Sequence, residues 1–323
     1  MTAVSIHIVT YNSAGSIRTC IDSVLAQEFR DYNLHIFDNS SNDATVQIVR
    51  SLDLPIIRQQ HNLGYAAAHN YLIDNTSSRY VLTLNPDVQL ESGFLKAMVT
   101  ALDAQPKVGS ASGLLLRVDH LGDQPTVIDS AGVHMQRNRR QGLRYDGLPI
   151  EQAPTQVQRI FGPDGAAAFY RRAMLDDVRN AGEVFDSDFW MHKEDIDLNW
   201  RALWRGWESL YVPTARAQHV RGFRPGQRDR VSEQMKLLGV RNRYLLMLKH
   251  ERSSYLLRDL LPIAAYEIGI LGYLLLRERS SLRAYVQAWT LRAKMAEKRR
   301  EIEEKRRAKV ADVMRWLSIS ELG

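Results

Sequence analysis

The chain has 323 residues, of which 45% are hydrophobic and 25% charged. These values exclude global disorder and allow one large domain or a domain with an appendage. The net charge of +6 is unevenly distributed along the chain. Before position 241 there are 25 Lys and Arg residues and 27 Asp and Glu residues, whereas from position 241 on there are 18 basic and 10 acidic residues. The near-neutral body argues against a nucleic-acid-binding protein, whereas the basic C-terminal quarter is typical of a segment that meets an anionic surface.

The only cysteine, Cys20, excludes an internal disulfide framework and suits a reducing compartment. It falls in a stretch of helical spacing over 16–26, which predicts a small core residue rather than a nucleophile. The N-terminus enters an apolar strand pattern at once, without a basic region or a cleavage signal, so we expect no secretion.

The first hundred residues alternate between two kinds of pattern. Short apolar runs predict strands over 4–9, 34–37, 55–57 and 80–84. Helical spacing or capping residues predict helices over 16–27, 43–52, 66–75 and 93–104. This alternation predicts an α/β fold with a doubly wound, mainly parallel sheet flanked by helices.

The fourth predicted strand ends abruptly at Asn85, Pro86 and Asp87. Pro86 removes a ladder donor, which leaves Asp87 at the carboxyl end of the strand, where ligands bind in open α/β sheets. A divalent cation that holds a diphosphate needs one or two oxygen ligands there. A plain strand followed by a Pro-Asp turn is the alternative.

Polar residues also follow the first two predicted strands. Thr10, Tyr11 and Asn12 come after the first strand, and Asp38 and Asp43 come after the second. These carboxylates are suited to accept hydrogen bonds from a ribose and a base edge. Read alone, the second cluster is more often just a helix cap.

Residues 110–160 lose the alternating rhythm and predict irregular hairpins and loops, either shaping a substrate cleft or forming a surface excursion. Order returns at 160–170, followed by a helix from Arg172.

The loop 191–195 ends with Glu194 and Asp195, which stand at the start of a predicted helix. The apolar face of this helix is predicted to contain Ile196, Trp200, Leu203 and Trp207. Acids in a first turn are stabilised by the helix dipole, which is a sufficient structural role. The functional alternative is that one carboxylate removes a proton from an attacking hydroxyl. Two adjacent acids cannot point the same way, so a single base is expected.

From Leu237 onward the pattern is helical. Residues 256–276 are apolar but carry charges and a proline, and they are short for a membrane span, which predicts paired helices lying on the membrane or packed on the body. Residues 292–309 hold nine basic and four acidic groups, which resembles an interfacial anchor. A solvated helix or a coiled-coil end is the alternative.

Five ordered motifs resemble family 2 inverting glycosyltransferases of the GT-A fold, and their rhamnosyltransferase-like branch in particular. They lie at 5–13, 37–43, 62–65, 84–87 and 193–201. The resemblance covers 4–250, including 241–244. It implies a GT-A domain over 1–250 and a helical basic tail over 251–323 that associates with a membrane or with another copy of the chain.

The resemblance implies a nucleotide-sugar donor site. Asp38 matches the nucleoside-binding acid of the family, and the other donor-binding residues are Thr10, Tyr11, Asn12, Asn39, Gly64, Asn85 and Asp87. Asp87 matches the last acid of the family's Asp-x-Asp metal motif, whereas Asn85 replaces the first acid. A loosely held Mg²⁺ or Mn²⁺, completed by diphosphate and water, is therefore expected, with His219 closing on the metal or the diphosphate.

The resemblance also implies the catalytic and acceptor residues. Asp195 matches the catalytic base, with Glu194 as the alternative. Gly162, Asp164 and Trp190 are expected to line the acceptor pocket.

The implied reaction transfers L-rhamnose from dTDP-rhamnose onto a saccharide or lipid-linked saccharide in bacterial cell-surface polysaccharide synthesis. The expected location is cytoplasmic, at the inner face of the cell membrane. A UDP-hexose donor is an alternative. A non-catalytic scaffold is another, although it should lack Asp87 or Asp195. A nucleotidyltransferase would need a Gly- and Arg/Lys-rich phosphate loop, and residues 10–18 have only Gly15 and Arg18.

Overall fold

The structure is a computed structural model that describes residues 2–222 and 228–317. Its strands, in chain order, are β1 (Thr2–Thr10), β2 (Tyr32–Asp38), β3 (Ile56–Arg58), β4 (Ser78–Leu84), β5 (Val88–Leu90), β6 (Val108–Arg117), β7 (Val127–Ser130), β8 (Val133–Met135), β9 (Gln141–Leu143), β10 (Gln158–Ile160), β11 (Ala167–Arg171) and β12 (Glu208–His219).

The helices alternate with the strands in the first half and dominate the second. They are α1 (Ile17–Leu25), α2 (Thr45–Arg50), α3 (Gly64–Asp74), α4 (Phe94–Asp103), α5 (Arg172–Asp177), α6 (Glu194–Trp204), α7 (Glu233–His250), α8 (Ser253–Arg258), α9 (Leu260–Arg277), α10 (Arg283–Thr290), α11 (Arg292–Glu304) and α12 (Val310–Met314).

One large sheet forms the centre of the fold, with the order β10-β12-β6-β11-β4-β1-β2-β3. Strand β1 pairs in parallel with both β2 and β4, whereas β11 runs antiparallel between β4 and β6. The predicted doubly wound, mainly parallel sheet is confirmed. The carboxyl ends of β1, β2 and β4 therefore meet at one edge, which brings the polar loops together.

Helices cover both faces of this sheet. Helices α1, α2 and α4 pack on one face with Cys20, Val49 and Phe94 in a common core. Helices α3, α5 and α6 supply Ile73, Leu175 and Leu198 to a second core. Burial raises the pKa of the Cys20 thiol far above its usual range, so Cys20 is the core residue that the helical spacing predicts.

The expectation of irregular structure over 110–160 is wrong for its first part. Residues 110–117 belong to β6, a buried strand between β11 and β12. A Cβ atom at Gly113 would lie 2.2 Å from the Ala215 carbonyl oxygen, so the small residues of β6 allow close strand packing. The predicted face of α6 also needs correction, because the helix ends at Trp204 and Trp207 lies beyond it.

The C-terminal helices share a hydrophobic core with the sheet domain. Met295 and Ile302 of α11 and Leu317 pack in the same cluster as Trp200 of α6 and Leu245 of α7. The segment after position 250 is thus built onto the preceding fold. Within the described residues, α9 is the one helix whose length and composition would allow it to cross a membrane.

Candidate active site

The loops after β1 and β2 are joined by hydrogen bonds. The Thr10 carbonyl accepts from the Asn39 N–H at 2.8 Å. The Asn12 N–H donates to Ser41 Oγ at 2.9 Å, and Asn12 Oδ1 accepts from the backbone N–H of the residue after Ser41 at 2.8 Å. Tyr11 is 47% exposed beside them. The predicted nucleoside-side residues are therefore neighbours in one folded unit.

Asp38 is completely buried at the end of β2. Its carboxylate accepts from the Ser41 N–H at 3.2 Å and lies 3.7 Å from Arg58 Nε. Asp38 thus closes a turn within the loop and does not cap α2, whose N-cap residue, Ala44, has no side-chain cap hydrogen bond. Burial beside an arginine equally suits a carboxylate that receives a donor group from a ligand.

Asn39 and Gly64 connect the second loop to α3. Asn39 Oδ1 accepts from the Leu63 N–H at 2.8 Å, and its Nδ2 donates to the Gly64 carbonyl at 3.2 Å. Gly64 has φ +82°, and a Cβ atom there would lie 2.6 Å from Trp190. Both facts require glycine at this position.

The loop after β4 carries Asp87 to the end of β12. The Asp87 carbonyl accepts from the Val220 N–H at 3.0 Å, and Asp87 Oδ1 lies 3.5 Å from His219 Nε2. The structure thus brings together the two residues predicted to face a metal.

A chain of alternating charges continues from His219. His219 Nδ1 lies 2.8 Å from Asp129 Oδ2, and Arg221 Nε donates to Asp129 Oδ1 at 2.7 Å. Arg221 Nη2 also donates to Asp164 Oδ2 at 2.6 Å. Burial lowers the pKa of His219, but its hydrogen bond to Asp129 and the nearby Asp87 carboxylate outweigh this and raise it to about 9. The imidazolium and the guanidinium thereby hold three carboxylates in place.

Asp195 lies at the other end of this chain. Its Oδ2 accepts from the Gly165 N–H at 3.1 Å, and its Oδ1 accepts from the Ile196 N–H at 2.8 Å. Burial and the neighbouring Asp164 carboxylate raise the pKa of Asp195 to about 6. An acid with that pKa is mostly ionised at neutral pH and is a stronger base than an ordinary aspartate.

Glu194 faces a more enclosed environment than Asp195. It is buried, and within the described part of the chain its Oε2 has no hydrogen-bond partner. Burial and Asp195 raise the pKa of Glu194 to about 8. Burial and the Glu194 charge likewise raise the pKa of Tyr65, whose hydroxyl donates to the Gly165 carbonyl at 2.9 Å. Glu194 is therefore mostly protonated at neutral pH, which favours Asp195 as the base.

One short segment joins the two predicted carboxylate sites. The Gly165 N–H contacts Asp195, and the carbonyl of the next residue, Ala166, accepts from the Asn85 N–H at 2.8 Å. The segments that carry Asp87 and Asp195 are therefore linked through two adjacent residues at the edge of the sheet.

The sequence reasoning missed Asp129, Arg221 and Tyr65. Asp129 interrupts a mostly apolar stretch at 127–131, which indicates a carboxylate buried in a strand. Because a buried carboxylate needs a cationic partner, this position could have been recognised from the sequence. Arg221 lies only two positions after His219 in the chain. Nothing in the local pattern distinguishes Tyr65.

The predicted acceptor residues separate in the structure. Asp164 lies in the charge chain. Gly162 is buried under α6, where a Cβ atom would lie 2.1 Å from Asn199 Cγ, so close packing explains this glycine. Trp190 lines a cavity of about 590 Å³ between the 187–190 turn, α7 and α10. Its other lining residues include Asp188, Leu237, Leu238, Arg241, Arg283 and Leu291.

The expected Mg²⁺ or Mn²⁺ site offers few protein ligands among the described residues. Within residues 2–222 and 228–317, no three His, Cys, Asp or Glu side chains form a group that could hold a metal. Asp87 Oδ1 is buried, makes no hydrogen bond to a described residue, and has His219 as its neighbour. This donor set fits a cation that takes its remaining ligands from diphosphate and water.

Comparison with known sequences agrees with the glycosyltransferase resemblance of the five motifs. The family profile described as "Glycosyl transferase family 2" matches residues 5–179, more than half of the chain. The chain is 25% identical over 244 residues to an N-acetylglucosaminyl-diphospho-decaprenol L-rhamnosyltransferase of Mycobacterium tuberculosis, covering 68% of this chain and 76% of that protein. It is 23% identical over 214 residues to a poly-beta-1,6-N-acetyl-D-glucosamine synthase of Staphylococcus aureus, covering 64% of this chain and 47% of that protein.

Solved structures share the fold at lower identity. GalNAc-T7 with UDP, GalNAc and Mn²⁺ matches with a TM-score of 0.61 and 14% identity, covering 77% of this chain and 48% of that one. S. aureus TarS 1-349 in complex with UDP matches with a TM-score of 0.53 and 18% identity, covering 94% and 90%. The mannosyltransferase PcManGT from Pyrobaculum calidifontis, in complex with GDP-Man and Mn²⁺, matches with a TM-score of 0.53 and 17% identity. The match covers 91% of this chain and 75% of that one. The predicted GT-A type fold is confirmed.

Proposed function

The chain belongs to glycosyl transferase family 2, and we propose that it transfers L-rhamnose, with inversion, from dTDP-rhamnose to a saccharide acceptor used in bacterial cell-surface polysaccharide synthesis. One observation carries the proposal. Asp195, whose pKa burial and Asp164 raise to about 6, is connected through Gly165 and Ala166 to the loop that bears Asp87. A base and a diphosphate-side carboxylate thus border the same site.

The donor is proposed to lie across the loops that follow β1, β2 and β4. Asp38 and Asn39 would face the nucleoside, with Thr10, Tyr11 and Asn12 beside it. Rhamnose is supported by the 25% identical rhamnosyltransferase. A UDP-hexose is the alternative donor, supported by the likeness to TarS in complex with UDP-GlcNAc.

In the proposed reaction, an acceptor hydroxyl attacks the anomeric carbon from the face opposite the nucleotide. The new carbon–oxygen bond forms as the bond between the anomeric carbon and the diphosphate oxygen breaks. The Asp195 carboxylate takes the hydroxyl proton, and the nucleoside diphosphate leaves with the electron pair. General-base assistance of this kind contributes about 10²–10⁴-fold in rate.

Asp87 and His219 are proposed to hold Mg²⁺ or Mn²⁺, and His219 would lose its proton on binding the cation, because only the neutral imidazole is a ligand. When bound, such a cation would neutralise charge on the leaving diphosphate. Arg221 and Asp129 keep His219 oriented toward Asp87 through the contacts described above.

The acceptor is proposed to enter the cavity beside Trp190, and a lipid-linked saccharide at the cytoplasmic face of the membrane suits it best. The cavity combines Arg241 and Arg283 with the leucines at 237, 238 and 291, and two acids, Asp188 and Glu233, also line it. An acceptor with an anionic diphosphate and an apolar lipid would be complementary to the arginines and the leucines.

The test is a panel of dTDP-rhamnose, UDP-GlcNAc, UDP-glucose and GDP-mannose, each assayed with Mg²⁺, Mn²⁺ or EDTA for thermal stabilisation and for hydrolysis. Stabilisation and turnover with dTDP-rhamnose alone would support the proposed donor, and preference for a UDP-sugar would replace it. Asp195→Asn should abolish turnover while the donor still stabilises the protein. Near wild-type turnover of Asp195→Asn would reassign the base to Glu194.

A further inference from the structure

An exposed apolar surface covers the outer side of the segment from α8 to α10. Most of the large hydrophobic side chains that are exposed in the described residues lie between Leu257 and Trp289. Leu261 is 82% exposed and Leu276 is 81% exposed. The most exposed of the others are Leu257, Ile268, Val286 and Trp289. A concentration of exposed apolar side chains of this kind marks an interaction site.

The opposite side of α9 is fixed to the body by three polar contacts. At its start, Asp259 accepts from Arg139 Nη1 at 2.8 Å. In its middle, Glu267 accepts from Arg243 Nη2 at 2.7 Å. Just after its end, Glu278 accepts from Arg228 Nε at 2.7 Å.

These contacts decide how α9 can meet a bilayer. A helix of 18 residues is about 27 Å long, whereas the hydrocarbon core is about 30 Å thick. Crossing the membrane would also pull Glu267 away from Arg243 and into hydrocarbon. The helix therefore suits a position in the plane of the interface, with one side on the protein and the other in lipid.

The charges around the surface select an anionic partner. The three acids between 257 and 292 are the ones already bound to arginines of the body. By contrast, Arg277, Arg279, Arg283 and Arg292 are exposed. Arginines around an apolar face that includes a tryptophan are complementary to the headgroups of anionic phospholipids.

Several side chains of the basic helix α11 are turned toward the body of the protein. Lys298 is buried and donates to Asp186 Oδ1 at 2.5 Å, and Lys294 donates to Asp188 Oδ1 at 2.7 Å. Met295 and Ile302 lie in the hydrophobic core. Part of the basic side of α11 thus binds the protein itself.

We propose that the outer surface of α8–α10, formed by the exposed apolar side chains between Leu257 and Trp289 and the four exposed arginines, binds an anionic phospholipid bilayer without crossing it. Ser280, Arg283, Gln287 and Leu291 belong to or adjoin this segment and also line the cavity beside Trp190. The bilayer would therefore lie next to the proposed acceptor pocket. This inference extends the proposed membrane location, and vesicle binding tests it independently of sugar transfer.

The test uses the full chain and vesicles of phosphatidylcholine, with or without phosphatidylglycerol, in a flotation assay. We expect binding that requires phosphatidylglycerol and weakens with salt. Ile268→Glu with Leu276→Glu should weaken binding by about tenfold or more, as should Arg277→Glu with Arg279→Glu. The matched controls are Leu25→Glu with Val157→Glu, which alter exposed apolar residues elsewhere, and Arg300→Glu on α11.

Far-ultraviolet circular dichroism and donor-induced thermal stabilisation would verify that each variant is folded. Equal loss of binding in the controls would overturn the proposal. The proposal would also be overturned if the wild type did not bind vesicles but formed a concentration-dependent dimer that is lost in the variant with Ile268→Glu and Leu276→Glu. The apolar surface would then bind a second copy of the chain. Resistance of the membrane-bound protein to alkaline carbonate extraction would overturn the in-plane arrangement.

Discussion

The Gly165 N–H donates a hydrogen bond to Asp195 Oδ2 at 3.1 Å. This bond favours the ionised form, whereas burial and Asp164 favour the protonated form and prevail, raising the pKa to about 6. The protonation state of Asp195 therefore changes close to neutral pH.

The first prediction follows from this pKa. Because the proposed base must be ionised, kcat/KM should fall about tenfold per pH unit below about pH 6 and level off above about pH 7. The measurement is a pH–rate profile at a saturating concentration of the proposed cation. A profile that stays level down to about pH 5 would contradict the assignment of Asp195.

The second prediction concerns Glu194, whose pKa burial and Asp195 raise from 4.5 to about 8. The folded state then binds more protons than the unfolded state between these values, so stability is lost as pH rises through this window. Glu194→Gln should match the wild type near pH 4 and exceed it near pH 9 by up to a few kcal/mol. Thermal unfolding at both pH values measures this, with the exposed Glu151→Gln as control. Parallel pH dependence in Glu194→Gln and wild type would count against it.

The third prediction concerns a buried lysine. Lys249 Nζ lies 2.6 Å from both Asp186 Oδ2 and Asp197 Oδ1. Lys249→Met should lower the free energy of unfolding by about 3–5 kcal/mol, because it leaves buried carboxylates without this cation. Urea denaturation measures the loss. Lys305→Met, which breaks an exposed pair with Glu301, should cost less than about 1 kcal/mol.

The fourth prediction tests the packing of Gly162 against Asn199. Gly162→Ala should destabilise the fold by about 1–3 kcal/mol, because the new methyl group overlaps the Asn199 side chain. Combining it with Asn199→Ala should cost less than the sum of the single changes, as a double-mutant cycle would show. Gly15→Ala, where no neighbouring atom lies within 4 Å, is the control. Strictly additive losses in the free energy of unfolding would contradict this prediction, because they would show that the new methyl group does not contact the Asn199 side chain.

The sequence predicted the elements whose signals are local. The strand that precedes Asp87 and the helix that begins at Glu194 were both found, because apolar periodicity and the proline act over a few residues. Strand β6 was missed because its glycines and serines show no alternation. Their reason is close packing against Ala215, about a hundred residues away in the chain.

The same distinction holds for the site. Asp87, His219 and Asp195 came from motifs that resemble a family. The Arg221–Asp129 ion pair joins β7 to the end of β12 across 92 positions, and only the assembled sheet brings these strands together. The cavity beside Trp190 likewise depends on how α10 packs on α7.

The pair of peptide groups at Gly165 and Ala166 has a consequence for timing. One group holds the proton acceptor and the other holds the backbone beside the diphosphate-side aspartate. On the proposed function, a displacement of residues 85–87 by the nucleotide would reach Asp195 through these two adjacent residues. Donor binding and the position of the proposed base would then be coupled, which would restrain attack by water before both substrates are bound.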